Sequence, residues 1–202
     1  MDEIVLQGMA KWPDVPAVYG WLSLSRRGQW LIKDDAVEHA GLTAFIARNY
    51  EHDAAGRWFF QNGPQRVFVA LEYTPIVYRA STDADGALTI ESHVGATPAA
   101  LQGAWADENG TLLLDTELGI GVVDDRDLEY IMPALSDGSG GAPCDDALGA
   151  LLHDVQHGRP ADLWLRYGGS KVIIQPLRAR EVPRRFGFDP CPAAPGGHPE
   201  CS

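Results

Sequence analysis

The chain has 202 residues, with 16 Lys and Arg against 28 Asp and Glu, a net charge of −12 and a pI near 4.8. That length admits one large domain or two small ones, with cores that need no covalent staples. The acidic balance speaks against general nucleic-acid binding, which requires cations to displace phosphate counterions, and against anionic membrane surfaces.

Hydrophobic residues make up 45% and charged residues 22%, the proportions of an ordinary globular protein. The opening MDEIVLQGMAKWPDVP has no basic segment followed by an apolar run, so no signal peptide is expected. No apolar run approaches the roughly 18 residues of a membrane span. Cys144, Cys191 and Cys201 are an odd number, which predicts free thiols and a cytoplasmic protein.

Residues 1–18 are punctuated by Pro13 and Pro16 and are expected to form an irregular arm. Trp21–Ser25 and Gln29–Lys33 flank Arg26-Arg27-Gly28, which reads as a hairpin. Asp34-Asp35, with Glu38 three residues after Asp35, reads as a capping box. It opens a helix with Leu42, Phe45 and Ile46 at helical spacing. Trp58 to Arg79 then reads as a long hairpin turning at Asn62-Gly63, a pair that supplies the positive φ values of a tight turn. Asp83-Ala84-Asp85-Gly86 is a turn lacking the remaining ligands of a calcium loop. Residues 95–100 read as a linker.

After the linker the chain repeats itself. Leu163 to Arg184 aligns without a gap on Trp58 to Arg79: Phe59 falls on Trp164, Gly63 on Gly168, Arg66 on Lys171 and Val69 on Ile174. Ala104–Ala106, a turn at Glu108-Asn109-Gly110, and Thr111–Leu114 mirror the first short hairpin. Residues 145–157 then read as the counterpart of the first helix. The fold class expected is α+β: internally duplicated hairpin–helix–hairpin units, mostly antiparallel sheet with a few short helices. The first copy spans 19–100. The second spans 101–188, with an insertion at about 117–145, and residues 189–202 form a flexible tail rich in Pro and Gly. The two long hairpins are apolar on both faces, which predicts that the copies pack against each other with a groove between them.

Several side-chain clusters could carry chemistry. His153 and His157 stand at i and i+4, the spacing of a zinc pair, but Asp154 replaces the Glu of a zincin. The alternative is two histidines in a last helical turn, where the helix dipole favours cations. Asp124, Asp125 and Asp127 could hold a magnesium ion through one or two carboxylates, or could cap the helix that follows. Cys144, Cys191, His198 and Cys201 fit no usual zinc spacing. Gly119-Ile120-Gly121 and Gly168-Gly169-Ser170-Lys171 are fragments of nucleotide motifs without their required context. No cofactor is expected.

Residues 166–185 carry Arg166, Lys171, Arg178, Arg180, Arg184 and Arg185 against one acid, Glu181. Such a strip on an acidic chain suits an anionic small molecule or an acidic protein partner. It can equally pair internally with the acids of residues 107–129. The sequence sets no oligomeric state.

The motifs Gly28-Gln29-Trp30, Leu42 with Phe45-Ile46, Gly56-Arg57-Trp58-Phe59-Phe60 and Thr74-Pro75 with Val77-Tyr78-Arg79 resemble those of an uncharacterised bacterial domain-of-unknown-function family, built from two copies of a helix-plus-long-hairpin motif. The resemblance covers most of residues 20–185 in organisation and short motifs in identity. It implies a two-copy α+β fold and a role in signalling or regulation, and it supplies no catalytic residues. The segment 117–145 and the Cys-containing tail depart from it. The leading expectation is a non-enzymatic binding or regulatory module with its site in the groove between copies. The alternative is a metal-dependent hydrolase using Asp124–Asp127 or His153 and His157.

Overall fold

The computed structural model describes residues 1–12 and 15–197. They form an α+β structure of two compact units. Unit 1 is Met1–Pro75 together with the chain from Phe186 onward, and unit 2 is Ile76–Arg185. These bounds differ from the expected copies, because the hairpin after Pro75 belongs to the second unit.

Unit 1 contains α1 (Glu3–Lys11), β1 (Val18–Leu24), β2 (Trp30–Ile32), β3 (Asp35–Ala36), α2 (Ala40–Arg48), β4 (Tyr50–His52), β5 (Trp58–Asn62) and β6 (Gln65–Leu71). The strands form one sheet in the order β3-β2-β1-β6-β5-β4. β1 and β6 are parallel, and the other neighbours are antiparallel. The residues expected as an irregular arm are instead helical over Glu3–Lys11. Val5 is buried, and the helix start is tied to α2, where the Asp2 N–H donates to Asn49 Oδ1 (2.7 Å) and Arg48 pairs with Asp2 (3.2 Å).

The capping box expected at Asp34-Asp35 is also corrected. Lys33 and Asp34 have φ of 48° and 71° and form the turn between β2 and β3. The N-cap of α2 is His39, whose Nδ1 accepts from the Leu42 N–H. Two positive φ values in a row make a type I′ hairpin turn, which normally takes Asn-Gly. A lysine in that region costs about 1–2 kcal/mol.

Unit 2 contains β7 (Ile76–Thr82), β8 (Leu88–Ser92), β9 (Gly103–Ala106), β10 (Leu112–Thr116), β11 (Gly119–Val123), α3 (Leu128–Ile131), β12 (Leu135–Ser136), α4 (Asp145–Gln156), β13 (Trp164–Tyr167), β14 (Ser170–Pro176) and α5 (Val182–Phe186). Its sheet runs β12-β13-β14-β9-β10-β11-β7-β8. Read from β11 to β12, six of these strands follow the order of the sheet in unit 1. β14 is parallel to β9, as β6 is to β1.

The registers correspond as well. Phe59 pairs with Phe68 as Trp164 pairs with Ile173, and Tyr50 faces Phe60 as Leu135 faces Leu165. The short hairpins turn on the same hydrogen bonds: Ser25 Oγ accepts from the Arg27 and Gln29 N–H groups, and Asp107 Oδ1 accepts from Asn109 and Thr111. In strand order, α2 lies between β3 and β4 where α3 lies between β11 and β12. α4 lies within the connection 137–163 between β12 and β13, where unit 1 has only residues 53–57 between β4 and β5. By strand order, the connection 137–163 is the longer of the two.

The core of unit 1 stacks aromatic rings on the face that α2 covers. Phe45 meets Phe60 edge-on, and Trp30, Tyr50 and Trp58 follow in contact. Such pairs add about 0.5–1.5 kcal/mol each beyond the area they bury. In unit 2 the core is largely aliphatic, with Leu113 and Leu114 of β10, Leu165 of β13 and Leu163 just before it fully buried.

The start of the tail expected to be flexible is hydrogen-bonded to the strands and turns of unit 1. The Leu71 N–H donates to the Pro190 carbonyl (2.8 Å), the Asp189 N–H donates to Gly56 (3.0 Å), and Phe188 is buried. Cys144 is a free thiol, whereas Cys191 is disulfide-bonded, which corrects the expectation of free thiols there. His198 and Cys201 lie outside the described residues. No helix among the described residues is long and apolar enough to cross a membrane.

Candidate functional site

The tip of the long hairpin in unit 2 is built by Arg166 and Lys171, paired across β13 and β14, and by the turn Gly168-Gly169 between them. Ser170 fixes the tip. Its hydroxyl donates to the Tyr167 carbonyl (2.5 Å) and accepts from the Leu101 N–H (3.0 Å). The Tyr167 hydroxyl donates to the Pro98 carbonyl (2.9 Å).

Beside this tip lies a cleft of about 500 Å³. Its walls include Arg166, Lys171 and Tyr167 from the hairpin, Tyr130 from α3, and Thr82 and Leu88 from β7 and β8. Arg166 and Lys171 are exposed, so their charges face water at low desolvation cost. Two cations, two phenol rings and the open backbone of a glycine turn suit an anion carried on an organic body.

The basic strip does not gather at one place. Arg166 and Lys171 share the cleft. Arg178 lies in a separate hollow of about 310 Å³ with Glu108, Glu181 and His157. Arg185 sits over the Trp105 ring at 5.2 Å, and its charge opposes the effect of burial on the half-buried Asp115 carboxyl, whose pKa lies above its ordinary value. Arg180 and Arg184 are exposed. The scattering follows from the chain path. β14 alternates its side chains between faces, and after Pro176 the strand gives way to a 3-10 turn and then α5.

The aspartates of the other candidate cluster are held by arginines. Asp124 is fully buried, and its carboxylate takes Arg126 Nη2 at 2.6 Å and Nε at 2.9 Å, with Arg79 Nε at 3.5 Å. These hydrogen bonds, Arg126 first, hold its pKa down to about 2. Asp127 Oδ2 takes Arg79 Nε at 2.6 Å and the Ala80 N–H at 3.1 Å. Asp124 also accepts from the Arg126 N–H as the cap of the turn, and Asp125 faces outward. These contacts favour the capping role over a metal-binding one.

His153 and His157 stack with ring centroids 4.0 Å apart. His157 Nδ1 is 2.8 Å from the His153 carbonyl, and His153 Nδ1 is 3.2 Å from Arg159 Nη2. Their Nδ1 atoms therefore face helix-end partners. Among the described residues, no three His, Cys, Asp or Glu side chains converge as a metal site.

Sequence reasoning missed a second cleft, of about 460 Å³, in unit 1. It lies between α2 and the sheet, lined by Trp21, Leu22, Leu42, Phe60 and Val67, and closed at one end by Asn62 and Gln65. Its place matches the cleft of unit 2. Asn62 and Gln65 pair across the tip of one long hairpin as Tyr167 and Ser170 do across the other. In each unit the second wall comes from the helix that precedes the edge strand. Trp21 and Leu42 are 51% and 36% exposed. In the sequence, Leu42 stands at helical spacing with Phe45 and Ile46, which gives no sign that it is exposed.

The family model DUF2944, described as "Protein of unknown function (DUF2946)", matches residues 1–193. The chain belongs to this family. Among solved structures, a DUF1285 family protein from Silicibacter pomeroyi DSS-3 has a TM-score of 0.53 at 12% identity, over 81% of this chain and 85% of that one. A DUF1285 family protein from Shewanella baltica OS155 has a TM-score of 0.36 at 13% identity, over 52% and 84%. The first shows a shared fold. No curated protein matches the chain.

Proposed function

We propose that this family member is a non-enzymatic regulatory module that binds an anionic small molecule in the cleft beside the tip of β13 and β14. The observation that carries this reading is the cross-strand pair Arg166–Lys171 at the mouth of a cleft of about 500 Å³. Tyr130 and Tyr167 supply flat apolar surface for the body of the ligand, while the two cations take its charge. The reading also draws support from the arginine partners of Asp124 and Asp127, which take up the carboxylates that a metal hydrolase would need.

A thermal-shift titration with inorganic phosphate, sugar phosphates and nucleotides tests it. The expected result is a saturable rise in Tm for an organic phosphate, weakening as salt increases. The Arg166→Ala/Lys171→Ala protein should lose that rise. A rise that ignores salt or survives in the double variant, or no rise with any of these ligands, overturns the reading.

A further inference from the structure

The cleft of unit 1 differs from that of unit 2 in chemistry while matching it in place. Its walls are mostly aliphatic and aromatic, with Asn62 and Gln65 at one end, and two of the apolar residues, Trp21 and Leu42, remain open to water. One cation stands beside a residue of its wall. Lys33 Nζ lies 4.5 Å from the Trp21 ring centroid and pairs with no carboxylate among the described residues. Lys33 reaches this position from a left-handed backbone conformation (φ 48°) that a lysine rarely adopts.

We propose that this cleft binds a free single-chain carboxylic acid, with its hydrocarbon tail against Leu22, Leu42, Phe60 and Val67 and its carboxylate on Lys33. The volume of about 460 Å³ falls in the range of small-molecule sites. Apart from Asn62 and Gln65 at one end, the side chains of the wall give no partner to a polar body, and the cation beside Trp21 sets where the carboxylate of an amphiphile sits. A free acid is favoured over a lipid bilayer because a chain of net charge −12 is repelled by anionic membrane surfaces. The proposal stands independently of the anion cleft in unit 2.

The test is a fluorescence titration of the full chain with 11-(dansylamino)undecanoic acid, followed by competition with dodecanoate and with dodecanol. The expected result is a saturable rise in emission at one probe per chain, reversed by dodecanoate at lower concentration than by dodecanol. Leu42→Glu places a carboxylate on the cleft wall and should weaken the probe at least tenfold. Lys33→Met keeps the apolar lining and should erase the preference for dodecanoate while leaving competition by dodecanol unchanged. Both residues are exposed, so circular dichroism should show both variants folded. The Arg166→Ala/Lys171→Ala protein should bind the probe as the parent does, which separates this site from the other. No saturable rise, full affinity in Leu42→Glu, or an unchanged preference in Lys33→Met overturns the proposal. Cosedimentation with phosphatidylglycerol vesicles that dodecanoate does not compete away overturns it in favour of a membrane surface.

Discussion

Lys171 Nζ lies 4.8 Å from the ring centroid of Trp164, on the neighbouring strand of the long hairpin in unit 2. The corresponding residues of unit 1 make the same contact, with the Arg66 guanidinium 4.6 Å from the Phe59 ring. Trp164 and Phe59 pair with Ile173 and Phe68 at matching register, so each cation reaches diagonally across its sheet to a ring. An exposed cation–π contact contributes about 0.5–1 kcal/mol. Lys171→Ala and Arg66→Ala should each lower the urea midpoint by an amount of that order, and Lys171→Arg should not. A double-mutant cycle of Lys171→Ala with Trp164→Leu checks that the loss belongs to the pair. Additive losses would mean that the two side chains contribute separately.

Gly168 and Gly63 occupy the same position in the two hairpin turns, with φ of 55° and 56°. Their surroundings differ. A Cβ at Gly168 would run into the Ala99 carbonyl oxygen, whereas nothing lies within 4 Å of one at Gly63. Gly63→Ala therefore pays only the backbone cost, about 1 kcal/mol. Gly168→Val should cost at least about 3 kcal/mol, because strain in φ, β-branching and the clash act together. Chemical denaturation of the two variants measures the difference, and equal losses would remove the close approach as its cause.

The long hairpins were legible because their alternation is strong and their turns carry glycine. Phe59, Phe68, Trp164 and Ile173 stand where an ungapped alignment puts them. β4 and β12 were not legible. A strand of two or three residues, Leu135-Ser136 for example, is too short to show a period. The partner of β7 was hidden for another reason. Ile76, Val77 and Tyr78 continue the pattern of the preceding strand, yet they pair in parallel with Gly121, Val122 and Val123, and such non-local pairing leaves no local signal. At Lys33-Asp34 local preference pointed the wrong way. Aspartates before a helical pattern read as caps, but here the backbone turns β2 into β3. The basic strip was legible as a composition, but linear charge does not say that Arg166 and Lys171 line one cleft and Arg178 another hollow.

His93 gives the protein a pH dependence whose sign follows from its surroundings. Its Nδ1 accepts from the Val77 N–H at 3.2 Å, and its Nε2 is buried. Burial pushes its pKa down to about 3. The unfolded chain, with a histidine pKa of about 6.5, therefore takes up the proton first as the pH falls. Stability drops by up to about 1.4 kcal/mol per pH unit from near pH 6.5 towards pH 3. Carboxylates such as Asp124, whose pKa lies below its usual value, add their loss only below about pH 4. The fall in urea midpoint between pH 6.5 and 4.5 should thus flatten in His93→Gln, which keeps an acceptor for Val77. A slope unchanged by that substitution would place the titrating group elsewhere.

Arg79 is the cation that holds Asp127 and also approaches Asp124. Its guanidinium bonds Asp127 and lies 3.5 Å from Asp124. Asp127 in turn accepts from the Ala80 N–H, so the ion pair also closes the backbone of β7. Arg79→Met retains most of the stem packing and removes the charge. Asp127 then keeps one hydrogen bond and no cation at close range, which should cost about 1–3 kcal/mol. Asp124 retains Arg126, so its stabilisation persists above its ordinary pKa of 3.8 and is still lost as the pH falls towards 2, over a narrower window than in the parent. Asp127→Ala should be less costly in the Arg79→Met background than in the parent, because the arginine has already gone. The same geometry predicts the response to divalent ions. With Arg79 and Arg126 occupying the carboxylate oxygens, millimolar manganese or magnesium should leave the parent Tm where it is. A rise in Tm with either ion would show that the cation displaces an arginine, and would revive the hydrolytic reading of Asp124 and Asp127.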